Sequence, residues 1–146
     1  MTTTDNDVTT VVLAQHKQVA QRLDAVLNAA PSDRSAEFES LPAFLGAHET
    51  AEETVIYPVL RKLGDEGIRV ADARTQEEDS AKEILTKLQA LDAGSQDFAA
   101  LFTEFSSKVH EHAASEEAEV IPLLTSSVSA EERQTMGSAF VASQTS

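Results

Sequence analysis

The sequence predicts an all-α protein, an up-down antiparallel four-helix bundle with a short C-terminal fifth helix. Three observations carry that expectation. Apolar residues recur in steps of three and four along four long stretches, the period of a helix with one buried face. Breakers are scarce, with 5 Gly and 4 Pro in 146 residues, too few for a turn-rich β fold. One segment also occurs twice. The stretch from His48 to Leu60 is echoed from His112 to Leu124, with the His, a Glu-Glu pair (Glu52-Glu53, Glu116-Glu117), a Pro (Pro58, Pro122) and the final Leu at matching offsets. The bundle therefore reads as two helix pairs joined by short links, which favour antiparallel neighbours.

The first helix starts after the polar, Thr-rich opening, with Asp5 or Asp7 as its cap. Its stripe is Val8, Val12, His16, Val19, Leu23, Val26 and Leu27, and Pro31 ends it near Ala30. Pro31-Ser32-Asp33 makes a turn and a cap. The second stripe is Phe38, Leu41, Leu45, His48, Glu52, Val55, Ile56 and Val59, with Pro42 and Pro58 bending or breaking the helix locally. A connection from Lys62 to Gly67, with two glycines, leads to the third stripe. There Ala71, Thr75, Ala81, Ile84, Leu85, Leu88 and Leu91 share a face with Glu78. Ala93-Gly94-Ser95 breaks that pattern. The fourth stripe runs Phe98, Leu101, Phe102, Phe105, Val109, His112, Glu116, Val120 and Leu123. Thr125 to Ser129 is a loop, and Ser129 caps a short helix whose apolar side is Met136, Phe140 and Val141. We expect one domain over residues 1–146, with the core bundle at about 8–124 and the terminal helix at about 129–143.

Composition narrows the function. The net charge of −14 argues against nucleic acid and anionic membrane as partners, since both call for basic patches. The absence of Cys excludes disulfides, zinc fingers and iron–sulfur clusters. No signal peptide opens the chain and no apolar run could span a bilayer, so a cytoplasmic protein is expected.

The chemistry lies on the apolar stripes. Residues i and i+4 of a helix share a face, so His48 and Glu52 point to one place, as do His112 and Glu116. His16 lies as far before His48 as residue 80 lies before His112, and Glu77, Glu78 and Asp79 stand there. Glu78 is preferred because Ala81, Leu85 and Leu88 share its face; Glu77 and Asp79 are runners-up. The inward set is then His16, His48, Glu52, Glu78, His112 and Glu116. Three imidazoles and three carboxylates are costly in an apolar interior unless paired, and a metal centre offsets that cost. The donors suit iron or manganese well and zinc acceptably, and they outnumber a four-coordinate zinc site. Bridging carboxylates favour two metals. His110, about 200° around the helix from His112, is expected to be exposed. Glu49, Glu53, Glu111, Glu117 and Glu119 are expected to be solvated, with Glu53 and Glu117 available to guide metal in or to support the ligands. Tyr57 reads as packing, with a redox or hydrogen-bonding role as the lesser alternative.

These residues resemble the hemerythrin-like, or HHE cation-binding, family, whose pattern is His on the first helix, His-x-x-x-Glu on the second, His on the third and His-x-x-x-Glu or Asp on the fourth. The Pro-containing segments Ile56-Tyr57-Pro58 and Val120-Ile121-Pro122 look like that family too, and the likeness spans roughly Val8 to Leu124. The resemblance implies a non-haem centre of two iron ions, with Mn or Zn less favoured. It implies His16, His48, Glu52, His112 and Glu116 as ligands, with Glu52 and Glu116 bridging. Glu78 stands where the family has its third-helix His. That change implies reaction with O2, peroxide or NO, including peroxidase-, catalase- or NO-related activity, rather than reversible O2 carriage. Metal binding, sensing or iron storage without turnover is the alternative.

Overall fold

The chain is described over residues 6–144 by a computed structural model, and all regular structure among them is helical. Helix α1 (Val8–Asn28) is capped by Asp7, whose carboxylate accepts from the Thr9 N–H and hydroxyl. Asp5, the alternative cap, and the last two residues of the tail lie outside the described residues. The helix ends at Asn28, with Ala29 extended, before Pro31 can enter it.

The second long element comes in pieces: α2 (Arg34–Glu39), α3 (Leu41–Ala51), a π-helical turn (Glu52–Ile56) and α4 (Tyr57–Arg61). Each proline opens a new piece, Pro42 in α3 and Pro58 in α4, where its missing N–H is not needed. In unbroken α register the Pro58 ring would press on the Thr54 carbonyl. The wider turn removes the clash: the Tyr57 N–H reaches back five residues to the Glu52 carbonyl.

After Gly64, whose φ of 95° suits glycine, α5 (Asp65–Gln89) runs unbroken. Gly67 belongs to its first turn and not to the link. A Cβ there would sit 1.8 Å from the Leu60 carbonyl oxygen, so glycine lets α5 fold closely against α4. Helix α6 (Gln96–Ser115) is capped by Ser95, whose Oγ accepts from Phe98 N–H. A second π-helical turn (Glu116–Val120) and α7 (Ile121–Ser127) follow. Pro122 opens α7, and the Ile121 N–H bonds the Glu116 carbonyl. The expected loop thus shrinks to Val128 and Ser129. Ser129 Oγ accepts from Glu132 N–H at the start of α8 (Ala130–Gln144), which packs on α1, α3 and the first π turn.

The result is an up-down antiparallel four-helix bundle with a fifth helix along one side. Its interior has two apolar layers. One, including Val12, Ile56, Leu60, Val70, Leu124 and Phe140, lies toward the π-turn end. The other, around Leu23, Leu41, Leu88 and the rings of Phe38, Phe98 and Phe102, lies toward the opposite end.

The π turns also shift the buried register. The stripe predicts Val59 and Leu123 in the core, but Leu60 and Leu124 are fully buried, while Val59 and Leu123 are only partly so. One extra residue per turn rotates everything that follows. Val141, expected to face inward with Met136 and Phe140, is 45% exposed, because it lies about 100° around α8 from Phe140.

A candidate metal centre between two apolar layers

His16 stands between Val12 and Val19 on α1, His48 between Leu45 and Ala51 on α3, and Glu78 between Ala71 and Ala81 on α5. Glu52 and Glu116 open the two π turns. The side chains form a polar stratum separating the two apolar layers. Glu52 and Glu116 are 0% exposed and Glu78 is 2%, so these carboxylates have no recourse to water.

All six residues singled out by the sequence are brought together. His16, His48, Glu52 and Glu116 each offer a donor atom within 4.8 Å of the others, and so do Glu52, Glu78, His112 and Glu116. The two groups share Glu52 and Glu116. Of the acids competing for the third-helix position, Asp79 is exposed and Glu77 turns outward to His112 Nδ1.

Each imidazole is held from behind. Glu117 lies 2.9 Å from His16 Nδ1, Gln15 Oε1 lies 2.7 Å from His48 Nδ1, and Glu77 lies 2.8 Å from His112 Nδ1. Acceptors at Nδ1 place its proton outward and turn Nε2 to the interior, the tautomer a metal ligand requires. Inside, His16 Nε2 is 2.9 Å from Glu116, His48 Nε2 is 3.5 Å from Glu52, and His112 Nε2 is 3.3 Å from Glu78. Both oxygens of Glu52, Oε1 of Glu78 and Nε2 of His112 are buried without a hydrogen bond. Orphaned atoms of this kind, converging from three of the four long helical elements, fit a cation.

Without a metal, protons must balance the charge. Burial and the neighbouring Glu116 and Glu78 carboxylates push Glu52 well above the carboxylate range. Burial also pushes Glu116 up, but a protonated Glu52 and the His16 imidazole outweigh it and hold Glu116 well below. Burial pulls His112 down, yet Glu78 and Glu116 prevail and raise it to about 9. Burial drops His48 to about 4. His16 is raised, its pairing with Glu116 and Glu117 exceeding the penalty of burial.

Several residues here were not legible in the sequence. Tyr57, read first as packing and only second as a hydrogen-bonding residue, donates its hydroxyl to Glu78 Oε2 at 2.9 Å or to Glu116 Oε2 at 3.0 Å. Five residues on from Glu52, it would lie about 140° away in α register; the π turn brings it back to the same side. Gln15 and Arg74 gave no signal, because a Gln beside a His and an Arg in a charged stretch are common. Glu49, read as solvated, is half-buried beside a cavity of about 40 Å³ lined by His48, Glu78, His112, Leu45 and Val109. Burial and Glu78 push its carboxyl up to about 7. Glu119 is not simply solvated, since it accepts from Arg69 and Arg74. Glu117 lies against the His16 ring, whereas Glu53 pairs with Lys82; His110 is exposed as expected.

Fold and site together define a helical bundle built around a buried His/Glu cluster able to hold metal. The family model for the hemerythrin HHE cation-binding domain matches residues 7–124, and the chain belongs to that family. It is similar to an uncharacterized hemerythrin-like protein of Schizosaccharomyces pombe, 35% identical over 97 residues, or 66% of this chain. The match covers 48% of that relative, so the chain spans about half the length of the curated protein it resembles. No solved structure matches the chain. No helix among the described residues is long and apolar enough to cross a membrane.

Proposed function

We propose that this protein binds two non-haem iron ions and reacts with a small oxidant or gas (O2, peroxide or NO) rather than carrying O2 reversibly. One observation carries the reading: two four-residue donor groups share Glu52 and Glu116, a geometry suited to two cations bridged by two carboxylates. His16 and His48 complete one position, and His112 and Glu78 the other. The bound iron pair would supply one-electron steps and an open coordination position.

The chain's own residues set the rest. Gln15, Glu77 and Glu117 hold the imidazoles in aim. Tyr57 keeps a hydroxyl proton on the Glu78–Glu116 side. The cavity beside His48, Glu78 and His112, at about 40 Å³, has room for a molecule of two or three heavy atoms. Glu78 adds a negative charge where an imidazole would be neutral, which favours the oxidised state of the ion beside it.

The test is anaerobic loading with ferrous iron, metal analysis and stopped-flow mixing with O2, hydrogen peroxide and NO. Two irons per chain and irreversible oxidation are expected. A stable, reversible O2 adduct would overturn the reactive reading. Two irons with no reaction toward any of the three would favour storage or sensing.

A further inference from the structure

Arg74 is buried at 5% exposure on α5, one turn before Glu78. A guanidinium stays charged wherever it is placed, so burying it demands close partners. It has them on both sides. Its Nη2 donates to Glu77 Oε2 at 3.1 Å, while Nε lies 2.9 Å from Glu77 Oε1 as an ion-pair contact outside hydrogen-bond geometry. Nη1 donates to Glu119 Oε1 at 2.7 Å, while Glu119 Oε2 accepts from Arg69 at 3.0 Å. Glu77 is the carboxylate behind His112, and Glu119 belongs to the π turn that opens with Glu116. Arg74 therefore reaches, through one carboxylate each, the imidazole of His112 and the turn that presents Glu116.

The other two imidazoles are held differently. Glu117, behind His16, has a side chain 46% exposed, and Gln15, behind His48, is neutral. Arg74 sets a permanent positive charge against one Glu77 oxygen and donates a hydrogen bond to the other, so a buried group rather than solvent holds this carboxylate. Without that guanidinium Glu77, 34% exposed, is free to swing into water and leave His112 Nδ1 unheld.

We propose that Arg74 is a positioning residue for one half of the centre: by clamping Glu77 against His112 it governs retention of the ion held by His112, Glu78, Glu52 and Glu116. This rests on the dinuclear reading above. The clamp acts on aim and tautomer, so its removal weakens one position and spares the His16–His48 position.

The experiment is anaerobic titration of the full chain with cobalt(II), whose visible bands report each position, repeated with ferrous iron and metal analysis. Arg74→Gln is expected to weaken one of two binding steps ten- to a hundredfold, the usual scale for an outer partner of a ligand. Glu77→Gln should do the same, the double variant should be no worse than Glu77→Gln alone, and Arg74→Lys should recover part of the loss. Glu119→Gln, which leaves the Arg74–Glu77 clamp in place, should keep both steps within about threefold. Equal weakening by Arg74→Gln and Glu119→Gln, or additive losses in the double variant, would reduce Arg74 to a staple between helices and overturn the proposal. Should Arg74→Gln not fold, Arg74→Lys decides against Glu119→Gln: a selective loss at one step supports the clamp, and no difference between them overturns it. A wild-type chain that takes up fewer than two ions would instead remove the dinuclear reading itself, and the proposal with it.

Discussion

The two helix pairs repeat one backbone and hold different chemistry with it. In each, a His-x-x-x-Glu runs into a π turn and a proline starts the next segment. The N-terminal pair then contributes His16 and His48, where the C-terminal pair contributes Glu78 and His112. Tyr57, with its hydroxyl on the carboxylates, has Ile121 as its counterpart, packed at the edge of an apolar layer. The comparison teaches that proline and the wide turn fix where donors point, whereas their character is left to single side chains. One half is rich in nitrogen, the other in oxygen.

The largest effect should come from abolishing what the halves share. Glu116→Ala is expected to take metal content from two ions per chain to none, while His48→Ala should leave about one, by metal analysis after desalting. Equal losses would mean the halves are not separable.

Making the halves alike is the next step. Glu78→His removes one negative charge and should raise the midpoint potential by about 60 mV or more, a tenfold change for a one-electron couple, by spectroelectrochemistry. A lower potential would sever the link between Glu78 and the oxidised state.

The metal-free protein offers a third comparison, because its histidines differ in opposite senses. His112, raised to about 9, contributes stability fully present below pH 6.5 and lost as pH rises through 9. His48, lowered to about 4, contributes stability present above pH 6.5 and lost as pH falls toward 4. The raised carboxyls of Glu49 and Glu52 contribute stability that is present below pH 4.5 and lost as pH rises, so they outweigh His48 above that point and urea unfolding should be most resisted near pH 4–5. The His112 share of the alkaline loss should be on the order of 3 kcal/mol, from a shift between 6.5 and about 9. Metal should abolish that alkaline limb and release protons at pH 7, seen by calorimetry in buffers of different ionisation heat.

The smallest effect tests Tyr57 against Ile121. Tyr57→Phe keeps the ring and removes the hydroxyl, so the metal-free protein should lose about 1–2 kcal/mol in urea unfolding. No change would show that the hydroxyl adds nothing beyond its ring.

Periodicity made the helices and the inward set legible, because a face repeats every three or four residues and His16, His48, Glu78 and His112 all fall on one. It could not find what depends on breaking that period. The extra residue in each π turn moved Leu60 and Leu124 into the core and Tyr57 to the site. Pro58 and Pro122 marked the place of the break, but not that the helix would widen rather than kink. Gln15 and Arg74 act across helices, through partners distant in the chain, and leave no mark at local spacing. Gly67 looked like link residue because its role, a close approach to the Leu60 carbonyl, exists only once the hairpin has formed.

The fifth helix carries a consequence for when the interior is completed. Arg133 on α8 holds Asp7 at 2.8 Å, and Gly137 meets the Asn6 backbone so closely that any Cβ would collide with it. Phe140 packs on the His48 ring, and Gln144 exchanges hydrogen bonds with Gln15, which holds His48. A chain emerging from the ribosome presents its beginning first. His16 and His48 are thus made early, yet the wall behind them is supplied by residues 130–144. The cluster is accordingly walled in only after that last helix is made, and a nascent chain halted before it would leave His16 and His48 without a seal.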